Sequence, residues 1–483
     1  MNIKIMNNTR KIKYAGLACV LISLASCKVP SVVTKEENKT VPEAYANALQ
    51  DSTNTARVQW KKYFTDPYLE SLIGTALQNN QELNITLQEI AIARNEVKAR
   101  KGEYLPFVGL NAGAGVDKVG RYTSKGSSEA TTEIMEGKET PDPLQDYSFG
   151  LSASWEIDIW NKLHNAKKSA VSHYLATVEG KNFVVTNLIA EIANSYYELL
   201  ALDNQLAIAK QNIEIQTNVL KIVKLQKESA RVTELAVRRF EAQVLNTKSL
   251  QFSIQQQITE TENKINFLLG RFPQTIERDR SAFENLKPAV VHAGIPSQLL
   301  ENRPDIKQAE LDLMAAKLDI KVAKARFYPS LGISAGIGYQ AFNAKYLLNS
   351  PESLLYSFAG DLVAPLINRN AIKAMYSSAS AKQIQAVYNY ERTIVNAYVE
   401  VANQLAKINN MEQSYDLKAQ QVEALNQSVT LSNDLFRSAR ADYMEVLLTQ
   451  REALESKFEL IETKKQQMNA FVTIYRALGG GWN

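Results

Sequence analysis

The sequence predicts an α+β protein with an internal tandem repeat, in which a few short strands are joined to very long helices. Three observations give this. Helix breakers vanish from two long stretches: there is no Pro between Pro143 and Pro273 or after Pro365, and no Gly between Gly180 and Gly270 or between Gly360 and Gly479, in segments rich in Ala, Gln, Glu, Lys and Leu, which favour helix. Four segments of about ten residues alternate between small or polar and apolar side chains, the period of a strand with two unlike faces. The chain also matches itself: Ser229-Ala230-Arg231 recurs as Ser438-Ala439-Arg440 and Val237 as Val446, at an offset of 209 (440 − 231), while Leu105-Pro106 recurs as Tyr328-Pro329 at 223 (329 − 106). Such self-similarity is the mark of a repeat architecture.

In chain order, Lys4, Arg10, Lys11 and Lys13 precede an apolar run, Tyr14 to Ser26, that is too short for a transmembrane helix and shaped like a secretory signal. Residues 1–26 are expected to be a signal peptide and 27–56 a polar, extended arm with Pro30 and Pro42. No later stretch has 18 consecutive apolar residues. Both cysteines, Cys19 and Cys27, lie near the N-terminus, which excludes a disulfide framework and a cysteine-based zinc site. His164, His173 and His292 show no metal-ligand spacing. The net charge of +4 is interspersed along the helical segments, so they read as solvated faces with no bias toward nucleic acid. No nucleophile with a partner and no phosphate loop supports an enzyme.

The first repeat, residues 57–280, begins with helices from Pro67 to Leu105, stopped by Pro106. A strand from Phe107 to Val116, a polar loop from about Gly120 to Asp146, and a strand from Tyr147 to Ile157 follow. A helix from about Asn161 to Glu228 would then run on the order of 100 Å before turning back at Ser229-Ala230-Arg231. The second repeat, residues 281–483, repeats this order, with Pro304 opening a helix, strands at Ser330 to Gln340 and Leu354 to Leu366, and a hairpin turning at Ser438-Ala439-Arg440. Arg303-Pro304-Asp305 is expected to be structural, with Asp305 in the helix's first turn. Four such strands cannot close a barrel alone, and an open edge in lipid leaves backbone groups unpaired at several kcal/mol each. Three chains contributing four strands each would close one, so the sequence argues for a homo-oligomer. Tyr104, Phe107, Tyr147, Trp155, Tyr328, Tyr339, Phe342 and Tyr356 flank the strands and are expected at membrane interfaces, with core packing the alternative for those at the periplasmic ends.

Several motifs resemble a known family. Leu24-Ala25-Ser26-Cys27 resembles the lipobox of bacterial lipoproteins, which implies a lipid on Cys27, and Lys28 in place of Asp implies the outer membrane. Gly294-Ile-Pro-Ser-Gln-Leu-Leu-Glu-Asn-Arg-Pro-Asp-Ile306 resembles the signature of TolC-like outer-membrane efflux lipoproteins of the NodT type. Trp60, Phe64, Asp66-Pro67 and Ala76-Leu77-Gln-Asn-Asn80 resemble that family's N-terminal helix motif, and Ala325-Arg-Phe-Tyr-Pro-Ser330, Ala364-Pro-Leu-Ile367 and Ala477-Leu-Gly-Gly-Gly-Trp482 resemble its later motifs.

The resemblance implies a homotrimer: a twelve-stranded outer-membrane β-barrel continued by a long periplasmic α-helical barrel. It implies a passive duct exporting drugs or other small toxic compounds, with a periplasmic adaptor and an inner-membrane pump of the resistance-nodulation-division type as partners. No cofactor is implied beyond the lipid on Cys27. The helix tips close the periplasmic end in that family, which makes Arg231, Thr233, Glu234, Arg440, Asp442 and Tyr443 the candidate gate and adaptor contacts. Thr233 and Asp442 also fit helix N-caps. The family usually carries Gly where this chain has Ala230 and Ala439; Ala makes φ > 0 costly, so helical or otherwise reshaped turns are expected. The alternatives are a type I protein-secretion duct and a periplasm-spanning structural lipoprotein without a pore. The lipobox and Arg303-Pro-Asp-Ile306 favour efflux, and the cargo is not legible.

Overall fold

The computed structural model describes residues 29–45, 53–280, 283, 286, 291–438 and 440–482. Cys19, Cys27, the expected signal peptide and Ala439 lie outside the described residues. The chain forms two compact units: Ile92–Tyr174 and Leu311–Val387 with the described arm residues up to Glu36, and Glu37–Ala91, Leu175–Glu310 and Tyr388–Asn483.

After a 3-10 turn, Thr55–Arg57, and a one-turn helix, Trp60–Tyr63, the first long helix, α1, is Pro67–Asn79, started by Pro67 and by the Asp66 carboxylate, which accepts from the Tyr68 N–H at 2.8 Å. Asn80 leaves the helical region (ψ 126), so the expected run splits, and α2 is Gln81–Tyr104. Strand β1 is Phe107–Asp117 and β2 is Leu144–Ile157, which starts three residues before the predicted Tyr147. The intervening polar loop is not irregular throughout: it holds a short helix, Ser124–Glu129, capped by Thr123, and a ribbon pairing Glu133–Met135 with Lys138–Glu139. Elements this short carry no hydrophobic period to read.

The 67-residue helix α3, Lys162–Glu228, begins directly after Asn161, whose φ is +54°. It is followed by α4, Glu234–Leu268. Then come α5, Pro304–Ala325, and the strands β3, Ser330–Ala341, and β4, Leu354–Val363, the last ending three residues before the predicted Leu366. The 68-residue helix α6, Asn370–Arg437, and α7, Tyr443–Ala477, complete the chain. Helices α4 and α7 have 35 residues each, and both ends of α7 follow those of α4 at the sequence offset of 209 (443 − 234 and 477 − 268).

The four strands form one antiparallel sheet in the order β1-β2-β3-β4, so β1 and β4 are its edges. Pairing runs unbroken, from Phe107↔Ser154 to Asp117↔Leu144, Tyr147↔Ala341 to Ile157↔Leu331, and Ser330↔Val363 to Tyr339↔Leu354.

In the other unit the core gathers Phe64, Ile73, Tyr196, Leu200 and Ile265, with Tyr63 stacked between Phe471 (4.3 Å) and Tyr475 (4.1 Å). Helices α4 and α7 end alike. Gly270 (φ +68°) and Gly479 (φ +93°) form left-handed caps. A Cβ at Gly270 would lie 2.4 Å from the Asn79 carbonyl oxygen, and at Gly479 2.6 Å from that of Asn302. Beside each cap a side chain donates to the last helical carbonyl: Asn80 Nδ2 to Leu268 at 2.9 Å, and Arg303 Nη1 to Ala477 at 2.7 Å.

The charged version needs more partners. Arg303 is only 6% exposed; it pairs with Asp305 (2.8 Å) and Glu400 (2.9 Å), and Glu400 also takes Arg476. Burial opposes its charge, but the Asp305 and Glu400 carboxylates outweigh that and hold its pKa above the ordinary arginine value. The N-terminal arm has no regular structure yet is pinned. Val29 and Val32 pack against Phe327 and Tyr376, and the Lys35 backbone exchanges hydrogen bonds with the Gln383 amide (3.2 and 2.7 Å). Further on, Lys39 pairs with Glu310 (2.5 Å) and Tyr45 stacks on Tyr398.

Candidate functional site: the hairpin tips and the strand sheet

Between α3 and α4 the chain reverses in five residues. Ala230 takes φ +57°, its N–H donates to Lys227 O (2.9 Å), and the Arg231 N–H donates to Gln226 O (2.9 Å). This is the turn that glycine normally makes, so the expectation of a reshaped turn is corrected: an alanine holds the left-handed position. Two backbone hydrogen bonds and the packing beneath outweigh a cost of about 1–2 kcal/mol. Between α6 and α7 the equivalent bond recurs, from the Arg440 N–H to Leu435 O at 2.8 Å. Thr233 is an N-cap whose hydroxyl accepts from the Ala236 N–H at 3.4 Å. Asp442 occupies the N-cap position of α7 without a side-chain hydrogen bond to the helix.

The tips meet on an apolar cluster. Leu220, Val223, Val237, Phe240 and Val244 pack with Val446, with Val232, Phe436, Tyr443 and Leu447 at its rim. Arg239 Nη1 reaches the Met444 sulfur at 2.7 Å across the two turns.

Of the six tip residues singled out by sequence, Arg231, Thr233, Glu234, Arg440 and Asp442 are exposed and Tyr443 is half-buried against the cluster. Among the described residues neither Arg231, Arg440 nor Asp442 makes an ion pair within the chain. Glu234 does, with Lys227 (3.0 Å) and Arg238 (2.8 Å), and the Lys227 hydrogen bond holds its carboxyl below the usual range. Lys227, Arg238, Phe436 and Leu447 escaped the sequence reading. The offset of 209, applied to every tip position rather than to the shared Ser-Ala-Arg alone, would have found them, because it pairs Lys227, Glu234 and Arg238 with Phe436, Tyr443 and Leu447.

The sheet's register sorts its side chains by polarity. Directly paired residues share a face. One face carries Val108, Leu110, Leu151, Ile333, Ile337, Tyr356 and Phe358; the other carries Asn111, Ser148, Ser152, Ser334, Ser357 and most of the glycines. The apolar face is open rather than covered: Leu110 is 74% exposed and Phe358 78%. No helix of the described residues is long and apolar enough to cross a membrane. An uncovered apolar sheet face opposite a face of small polar side chains is the pattern of a strand wall between lipid and water. Aromatics that flank the strands have polar anchors: Trp155 Nε1 donates to Tyr104 O (3.0 Å), and Trp160, stacked on Tyr328, donates to Pro329 O (2.7 Å).

Comparison with known proteins agrees with this architecture. The model of a family described as outer membrane efflux protein matches residues 72–271 and 295–480. The pyoverdine export outer membrane protein OpmQ of Pseudomonas aeruginosa is 28% identical over 424 residues, 88% of this chain and 87% of that protein. The cation efflux system protein CusC of Escherichia coli O6:H1 is 26% identical over 470 residues, 96% and 98% of the two chains. A solved membrane protein from Pseudomonas aeruginosa superposes with a TM-score of 0.83 at 23% identity, covering 93% of this chain and 99% of that one.

Proposed function

The chain belongs to the outer membrane efflux protein family, and from that premise we propose that three copies assemble into the outer-membrane duct of a tripartite efflux pump. That it is an outer-membrane efflux channel component follows from the family; the assembly, its partners and its gate are the proposal. The observation that carries it is the sheet. Its apolar face suits lipid, its polar face suits water, and β1 and β4 are edges with unpaired backbone groups. In lipid those edges must be satisfied, and joining β1 of one copy to β4 of the next satisfies both. Three copies then close twelve strands.

The lipid on Cys27 anchors the arm to the outer membrane, and the two tips face a periplasmic adaptor and an inner-membrane pump that supplies the energy. The duct itself is passive. Arg231, Thr233, Glu234, Arg440, Asp442 and Tyr443 form the gate and adaptor surface. Among the described residues Arg231, Arg440 and Asp442 have no ion partner within their own chain, which leaves them available to neighbouring copies. The relatives' names attach different cargoes to one architecture, pyoverdine in one and cations in another. The family therefore does not fix this chain's cargo.

The test is accumulation in a deletion strain. Loss of the chain should raise intracellular levels of an efflux dye and of some antibiotics or metal ions. Wild type should rescue this and Cys27→Ser should not, with secreted proteins unchanged. Unchanged accumulation together with loss of a secreted protein would replace efflux by secretion. At the gate, Asp442→Ala is expected to raise single-channel conductance and the entry of large antibiotics; no change in either removes Asp442 from the gate.

A further inference from the structure

We propose that the strand sheet is itself a charge filter, which favours cationic and neutral cargo over anionic cargo. The inference rests on the duct reading above and goes beyond it by naming a cargo class and the residues that select it.

None of the four strands contains Lys or Arg. Their charged residues are Asp117, Asp146, Glu156 and Asp361. The register places all four on the polar face: Asp117↔Leu144 and Gly115↔Asp146 toward one end, and Glu156↔Gly332↔Asp361 toward the other. In that second row two carboxylates flank a glycine across two strand spacings, about 10 Å, with no side chain between them. The stretch between the two ends is lined by Asn111, Ser148, Ser152, Ser334 and glycines, which carry no charge.

The carboxylates are not equally compensated. Lys162 pairs with Glu156 (2.5 Å) and Lys125 with Asp117 (3.1 Å), both from outside the strands. Asp146 is held instead by the neutral Gln340 amide (2.9 and 3.0 Å). Asp361 has no cation within ion-pair distance among the described residues. One uncompensated carboxylate thus stands near each end of the sheet. The row of Asp146 and the row that Asp361 shares with Glu156 lie ten residues apart along the strand (156 − 146), about 33 Å at ~3.3 Å per residue. In a three-copy barrel each becomes a ring of three. Rings of carboxylates in a pore select cations, and low-dielectric walls focus their field. Such a field reaches about 10 Å at 0.1 M salt and about 3 Å at 1 M, so selection should fade as salt rises.

The test is the reversal potential of the purified full chain in planar bilayers under a KCl gradient. Wild type should prefer K⁺ to Cl⁻ severalfold at low salt, and the preference should shrink at high salt. The double variant Asp146→Asn/Asp361→Asn is isosteric and should bring the ratio toward one, and Asp361→Asn alone should bring it part of the way. Trimers resistant to detergent would show that the variants fold. A conducting wild type that is unselective or prefers Cl⁻, or a preference the double variant leaves intact, overturns the filter while leaving the duct standing. Absence of conductance in every chain overturns the duct reading, and the filter with it.

Discussion

At the first hairpin tip Lys227, Glu234 and Arg238 form a run of exposed ion pairs, with Glu241 extending it from Arg238 (2.9 Å). At the second tip the same three repeat positions hold Phe436, Tyr443 and Leu447, which lean on the apolar cluster. Yet the two turns close with the same backbone bond, Arg231 N–H to Gln226 O and Arg440 N–H to Leu435 O. Both present a buried valine at the same step, Val237 and Val446. The comparison teaches that turn shape is held by backbone bonds and a shared apolar seat, while the flank is free to diverge. An ionic flank stays soluble and labile; an apolar flank either packs or needs a partner.

The comparison is broken most strongly at the seat. Phe240→Ala removes a fully buried ring and should cost about 3–5 kcal/mol, whereas Thr449→Ala at the repeat-equivalent position should stay within about 0.5 kcal/mol. Denaturant unfolding of the two variants checks this, and equal losses would mean the tips share the load evenly. Next in size, Val237→Ala and Val446→Ala should each cost about 1–2 kcal/mol, the worth of two buried methyl groups. Losses that differ by much more than this would refute a common seat.

Ala230→Gly should act in the opposite direction. It relieves about 1–2 kcal/mol of left-handed strain against about 0.5–1 kcal/mol of added chain entropy, so a gain of up to about 1.5 kcal/mol is expected in the same unfolding experiment. The smallest effect belongs to Glu234→Gln, because its partners are exposed and screened. The folded Glu234 carboxyl lies below its ordinary value through the Lys227 hydrogen bond and the nearby Arg238 charge. Its contribution is therefore present above the unfolded carboxylate pKa and is lost as pH falls through the folded value. The difference between wild type and variant should vanish in acid and in high salt; a difference that persists in either would mean Glu234 does something other than pair with Lys227 and Arg238.

The same contrast of shared frame and divergent chemistry appears where α4 and α7 end. Asn80 and Arg303 cap equivalent helices, but only the arginine recruits Asp305, Glu400 and Arg476. From sequence, Arg303-Pro304-Asp305 read as a helix start. Its buried network drew on Glu400 and Arg476, residues far along the chain that no local pattern could supply.

Long helices, four alternating strands, the offsets of 209 and 223, and a Thr233 cap were determined by the sequence alone. Each rests on local physics: the period of side chains along a helix or strand, the steric veto of Pro, and a hydroxyl three residues from an orphan N–H. The left-handed Ala230 was decided against local preference by the bonds and packing of the whole tip. Likewise, alternation announced two unlike faces in each strand, but only cross-strand pairing placed Glu156 and Asp361 astride Gly332 and gathered every strand carboxylate on one face. Register is a relation between segments distant in sequence, so it is fixed only when the strands meet.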